Sequence, residues 1–262
     1  MQEKSALERA MTMVADLRER CPWDRAQTRE TLRPYLLEEA HELAHAMGTG
    51  DVDLIRAEVS DLLLHLAWQL VLAGERKEFT PDDVATDLEQ KMRRRHPHLF
   101  DLGPRESWTA LKRRERRESE GLLDGLPPTL PELLMAYRLQ ERAAGVGFDW
   151  PDTTGPAAKV REELAEVEAE LEGQTGKVVG DGTAAAAGAL EEEVGDLLFA
   201  VVNLSRKAGV SPSSALEKAN VKFRERFRAL EALAAERGID VHASDLAALD
   251  RLWEEVKLGD RR

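Results

Sequence analysis

Two sets of carboxylates in this chain share one spacing. Glu38, Glu39 and Glu42 are followed by Glu58 and Asp61, and Glu162, Glu163 and Glu166 are followed by Glu193 and Asp196. Each set reads Glu-Glu-x-x-Glu, then a gap, then Glu-x-x-Asp. Residues three or four apart share a helix face, so each half presents a ridge of acids that a second helix can complete. Clustered carboxylates repel one another unless a cation neutralises them. A divalent cation with oxygen ligands is the simplest neutraliser, and Mg²⁺ in particular is held by carboxylates together with substrate phosphates.

The second set shows why this differs from a solvated acidic face. Positions 193, 196, 197, 200, 201 and 204 form one helical stripe occupied by Glu, Asp, Leu, Ala, Val and Leu, so the acids continue an apolar face. The first set has the same layout in Glu58, Asp61, Leu62, His65, Leu66 and Gln69. A charge aimed at a core is costly unless it is paired or metal-bound. In a chain with 50 acidic residues one such motif reads as surface decoration; two linked sets, each running into an apolar helix, reverse that reading.

Cations and aromatics recur after each acid set. Lys91 and Arg95 match Lys222 and Arg226 as Lys-x-x-x-Arg, and Trp108 with Lys112 matches Trp253 with Lys257. A triphosphate would be repelled by the acids unless Mg²⁺ bridges carboxylates to phosphate oxygens and lowers the pKa of an attacking water. The lysines and arginines would then hold the outer phosphates and stabilise the leaving group. Taken singly, the cations read as solvated helix positions and the tryptophans as core packing; their recurrence makes phosphate binding and base stacking the sharper readings.

The elements that must position these residues are helical. Only 5% of the 262 residues are aromatic while Ala, Leu, Glu and Arg abound, which supplies helices and starves strands. The expected fold is all-α, in two tandem units resembling four-helix bundles. Gly121 to Pro131, with three prolines, breaks the helical pattern, so the domains are set at 1–120 and 121–262. Thr80-Pro81 and Ser211-Pro212 read as N-cap and first helical residue. The gap between the acid helices is longer in the second half, and its Gly/Thr/Ala-rich stretch 173–189 reads as a mobile loop and possible lid. Gly195 is expected to permit close helix approach.

A formal charge of −13 and pI near 5.1 argue against direct nucleic-acid binding. Cys21 is the one cysteine, which excludes an intramolecular disulfide. The longest mostly apolar run, 62–73, is too short to span a bilayer, and no signal peptide is evident, so a cytoplasmic location is expected. Leu62 to Trp68 is apolar around most of its helix and must be covered on every side, which predicts a homodimer.

The chain resembles the MazG nucleoside triphosphate pyrophosphohydrolases, in their full-length, two-domain form. The matching stretches are CPWDRAQT (21–28), LRPYLLEEAHE (32–42), EVSDLLLH (58–65) and RRRHPHLF (93–100), then GVGFDWPD (145–152), KVREELAEV (159–167), LEEEVGDLLFAVVNLSRKAGV (190–210) and KANVKFRERF (218–227). The resemblance implies an all-α fold and Mg²⁺-dependent hydrolysis of nucleoside triphosphates to monophosphate and pyrophosphate, with Mn²⁺ as a substitute and loose base preference. It implies metal ligation by Glu163, Glu166, Glu193 and Asp196, and nucleotide contacts from Lys159, Glu162, Glu192, Lys222, Arg226 and Trp253. Glu162 adjoins a ligand without being needed as one, so it is assigned as general base. Ala189 stands where similar chains can carry lysine, and Ser60 stands where the second half has Gly195. Glu38, Glu39, Glu42, Glu58, Asp61, Lys91 and Arg95 form a possible second site, with the second half expected to carry most turnover.

One rival uses the same residues. His41-Glu42-Leu43-Ala44-His45 fits the His-Glu-x-x-His helix of zinc peptidases, although the second copy carries no histidine there. A di-iron bundle would need two Glu-x-x-His pairs and finds one, Glu42 and His45. A non-enzymatic scaffold would leave the inward acids unexplained.

Overall fold

Side-chain caps begin four helices of the first unit, including both of its acid-bearing helices. Ser5 and Thr80 form capping boxes with Glu8 and Asp83, Thr28 does so with Thr31, and the Asp51 carboxylate accepts from the Asp53 and Leu54 amides. The computed structural model describes residues 5–100, 102–105, 121–174 and 184–259, and the chain divides into two units, Met1–Glu106 and Ser107–Arg262. Among the described residues there are ten α-helices, one 3₁₀ turn and no strand, so the fold is all-α as expected.

The first unit contains α1 (Ala6–Arg20), the short α2 (Pro22–Arg25), α3 (Arg29–Thr49), α4 (Val52–Arg76), α5 (Pro81–Arg95) and a 3₁₀ turn at Pro97–Leu99. The acid helices α3 and α4 pack together, and α1 also packs on α4. Val14, Leu32, Ala67, Trp68 and Leu72 form the core. Arg18 ties these elements at their ends. It pairs with Glu75 at the end of α4, donates to the Asp24 and Gln27 carbonyls at 2.9 and 3.1 Å, and lies over the Trp68 ring. Pro34 sits inside α3, where it removes one backbone donor without ending the helix.

The second unit contains α6 (Glu132–Ala144), α7 (Thr154–Gln174), α8 (Ala184–Lys207), α9 (Pro212–Glu236) and α10 (Leu246–Gly259). The acid helices α7 and α8 pack along their length, α6 lies on α8, and α10 packs on α9 around Leu230, Ala234 and Leu252. The buried Gln140 of α6 donates to the Phe199 carbonyl of α8 at 2.8 Å. Ser211 caps α9 with Pro212 behind it, and Thr80 with Pro81 opens α5, as the spacing predicts.

Two local expectations are corrected. The stretch 173–189 is not a loop throughout: α7 extends to Gln174 and α8 begins at Ala184, because the alanine run there is strongly helix-forming. Residues 175–183, Trp108 and Lys112 lie outside the described residues. Gly195 is exposed on α8 and a Cβ added there would meet nothing within 4 Å, so close helix packing in this chain does not require it.

Candidate active site

In each unit the helix pair brings together three of the expected acids. Glu163 of α7 meets Glu193 and Asp196 of α8, with ligand oxygens all within 4.8 Å of one another. Glu39 of α3 meets Glu58 and Asp61 of α4 in the same way. Because the acids on α4 and α8 are three residues apart, one helix face aims both at the facing helix. Glu163 is 4% exposed, so its charge lies in the seam between α7 and α8.

Burial of these acids demands compensation, and the two triads obtain it differently. Lys159, one turn before Glu163 on α7, bonds Glu162 at 2.9 Å and also pairs with Glu163. The bond from Lys159 holds the Glu163 carboxyl below the usual range. Glu163, and after it Glu162, in turn hold the Lys159 ammonium well above its own. Glu166 stands outside the triad. Its carboxyl shares a hydrogen bond with Glu163, and that bond, with burial and the charges of Glu163 and Glu193, raises its pKa. Glu39 has no such lysine: burial raises its pKa, and Asp61, Glu42 and Glu58 raise it further.

The remaining expected residues belong to neither triad. Glu162 and Glu192 are exposed on α7 and α8, and Glu38 and Glu42 are exposed on α3. Lys222 and Arg226 lie on α9, the former exposed and the latter half-buried, while Lys91 and Arg95 occupy the corresponding places on α5. Trp253 of α10 packs against Phe223 of α9, ring centroids 5.4 Å apart, beside the Leu230 cluster. An open cleft of about 530 Å³ adjoins the first triad, lined by Glu38, His41, Glu42, His45, Leu54 and the triad's own Glu58.

The zinc-peptidase geometry does not form. His41 and His45 are exposed on α3, and among the described residues neither belongs to a group of three ligand atoms within 4.8 Å. The di-iron arrangement fails for the same reason. Both assembled triads are purely carboxylate, a hard oxygen donor set that fits Mg²⁺ or Mn²⁺ rather than a metal that favours imidazole or thiolate.

Sequence reasoning missed the clasp that seats α7. Asp149, in the segment before that helix, receives a two-pronged contact from Arg206 and a bond from Lys207 at 3.1 Å, both from the end of α8. These cations hold its pKa down to about 2. Trp150 then lies on Gly155, where an added Cβ would come within 2.2 Å of the indole. Arg206 and Lys207 in the last turn before Gly209 were a legible hint of a partner near that helix end.

A family model described as the MazG nucleotide pyrophosphohydrolase domain matches residues 27–100, which contain the whole first triad. The chain is 40% identical over 246 residues to the nucleoside triphosphate pyrophosphohydrolase/pyrophosphatase MazG of Thermotoga maritima, covering 92% of this chain and 91% of that protein. It is 39% identical over 264 residues to the nucleoside triphosphate pyrophosphohydrolase of Escherichia coli K12, covering 96% and 97%. The uncharacterized protein YabN of Bacillus subtilis is 38% identical over 92% of this chain but only 49% of its own length. With end-to-end similarity of this kind and carboxylate triads on paired helices in both units, the chain belongs to the MazG nucleotide pyrophosphohydrolase family.

Proposed function

We propose that the protein hydrolyses nucleoside triphosphates to the monophosphate and pyrophosphate with Mg²⁺, or Mn²⁺ in its place, and with broad base tolerance. The observation that carries the reading is the Glu163, Glu193 and Asp196 triad, an oxygen-only donor set in a family of nucleotide pyrophosphohydrolases. A divalent cation would be held by Glu163, Glu193 and Asp196 and would supply Lewis-acid polarisation of the phosphoryl group. The chain's own groups do the rest. Glu162, exposed on α7 next to Glu163, accepts a proton from the attacking water; Lys159 takes a phosphate oxygen in exchange for its carboxylate partners; Lys222 and Arg226 supply further positive charge to the departing pyrophosphate. Trp253, if reached by substrate, offers its ring to the base.

In this reading residues 1–120 and 121–262 are duplicated MazG-like domains. The second carries most turnover, and the first, with its histidine-lined cleft, is weaker, selective for other nucleotides or regulatory. The protein would act in the cytoplasm as a homodimer. Support for assembly comes from large apolar side chains left uncovered on the acid helices, including Leu66 at 56% and Leu198 at 53% exposure. No helix among the described residues is long and apolar enough to cross a membrane.

Incubation with a panel of triphosphates and Mg²⁺ should yield pyrophosphate and monophosphate in equal amounts. Orthophosphate and diphosphate as the sole products would overturn the reaction assigned.

A further inference from the structure

The two triads differ at a position one helical turn before their leading glutamate. The second has Lys159 there and the first has Tyr35. Lys159 Nζ lies 2.9 Å from Glu162 and pairs with Glu163, whose side chain is 6% exposed and is the most buried member of its triad. An ammonium group therefore already occupies the electrostatic place a metal cation would take. Tyr35 brings no charge. Its ring is 44% exposed and meets Trp23 edge-on at 6.4 Å, while the charges acting on Glu39 are those of Asp61, Glu42 and Glu58.

This difference decides how each centre can be filled. A divalent cation approaching Glu163 meets a like charge within a few ångströms, and the repulsion persists until Lys159 finds another anion. The outer phosphates of a triphosphate are such an anion, within reach of a flexible four-carbon stem. At Glu39 the charges that act on the carboxyl, those of Asp61, Glu42 and Glu58, are all negative and favour cation entry with or without a nucleotide.

We propose that Lys159 is the resident counter-cation of the second centre, so that this centre takes its divalent metal together with a nucleotide, whereas the first centre takes a divalent metal alone. The proposal rests on the reading of the second triad as the nucleotide-hydrolysing site. It assigns Lys159 two successive partners, Glu163 before substrate and phosphate after. By linkage, whatever the nucleotide adds to metal affinity at this centre the metal adds to nucleotide affinity.

The test is Mn²⁺ titration of the nucleotide-free full-length protein, followed by the electron paramagnetic resonance of free Mn²⁺. Two classes of site are expected. The stronger should disappear in Glu58→Gln and persist in Glu193→Gln, and the weaker should do the reverse. Lys159→Met should tighten the weaker class on the order of tenfold or more, by removing a charge a few ångströms from the ion. Lys159→Arg, which keeps the charge, should leave it weak. Each variant retains one undisturbed class, which reports that the protein is folded. A weaker class indifferent to Lys159→Met, or two classes of equal affinity in the parent, would overturn the proposal. Failure of the enzymatic reading looks different: no pyrophosphate in the product assay while the two Mn²⁺ classes remain.

Discussion

Replacing Asp149 with asparagine should cost the second unit stability in a way that depends on pH. The carboxylate receives Arg206 and Lys207 and its own Trp150 amide, and its side chain is 21% exposed, with Arg206 at 11% and Lys207 at 19%. Its pKa falls from 3.8 to about 2. At 1.36 kcal/mol per unit that depression corresponds to about 2.5 kcal/mol, and screening at a partly wetted pair reduces it to about 1 to 2 kcal/mol. Arg206 Nε already lacks a partner, so a guanidinium left with neutral acceptors, Asn203 among them, pushes the loss toward the upper figure. The sign follows from linkage. Because the folded pKa is depressed, the contribution is complete above the unfolded value and is lost as pH falls toward 2. Urea unfolding of Asp149→Asn and parent should therefore show the full difference at pH 7 and pH 5, shrinking to roughly half at pH 3. No difference at pH 7, or one of undiminished size at pH 3, would refute the argument that this ion cluster seats the segment ahead of α7.

Glu193→Gln should abolish most pyrophosphate release on a common triphosphate while Glu58→Gln leaves much of it, since carboxylates of one centre act jointly; equal losses would move the principal site. In metal-free buffer at neutral pH, Glu39→Gln should raise the melting temperature, because ionisation of a carboxyl whose pKa is raised opposes folding above that pKa, and the gain should fade on acidification. Glu163→Gln should do the opposite, lowering the melting temperature through loss of the Lys159 partner; shifts of the same sign in calorimetry would contradict the different compensation of the two triads. Leu72→Ala, at a side chain 2% exposed in the first unit's core, should cost about 3 kcal/mol in denaturant unfolding, against about 1 kcal/mol for the exposed cap substitution Thr80→Ala.

The all-α class, the caps at Thr80 and Ser211, and the repetition of Glu-Glu-x-x-Glu with Glu-x-x-Asp were legible because they are local. Propensity, N-cap chemistry and the three-to-four residue period act within one or two turns of chain. From them it followed that Glu193 and Asp196 share a face, as do Glu58 and Asp61. The alanine-rich boundary of α8 was misjudged because Gly and Thr nearby read as loop and alanine was grouped with them. Gly195 was misjudged because a small residue on a helix is compatible with either close packing or an open face, and only the neighbouring atoms distinguish the two.

What the sequence determined by itself is the chemistry available: two sets of hard oxygen donors, cations to accompany them, and little strand-forming material to build another fold class. Which acids converge was decided by tertiary structure. Glu163 and Glu39 are the members of their acid runs that group with the facing pair, with Glu166 hydrogen-bonded to Glu163 beside one group, because the helix seam selects one register from a run of acids that all lie within a turn. The balance of charge was decided there too. Lys159 is one of 37 basic residues in composition, and it becomes a counter-ion only because the packing of α7 on α8 buries Glu163 beside it, where an ion pair outweighs hydration.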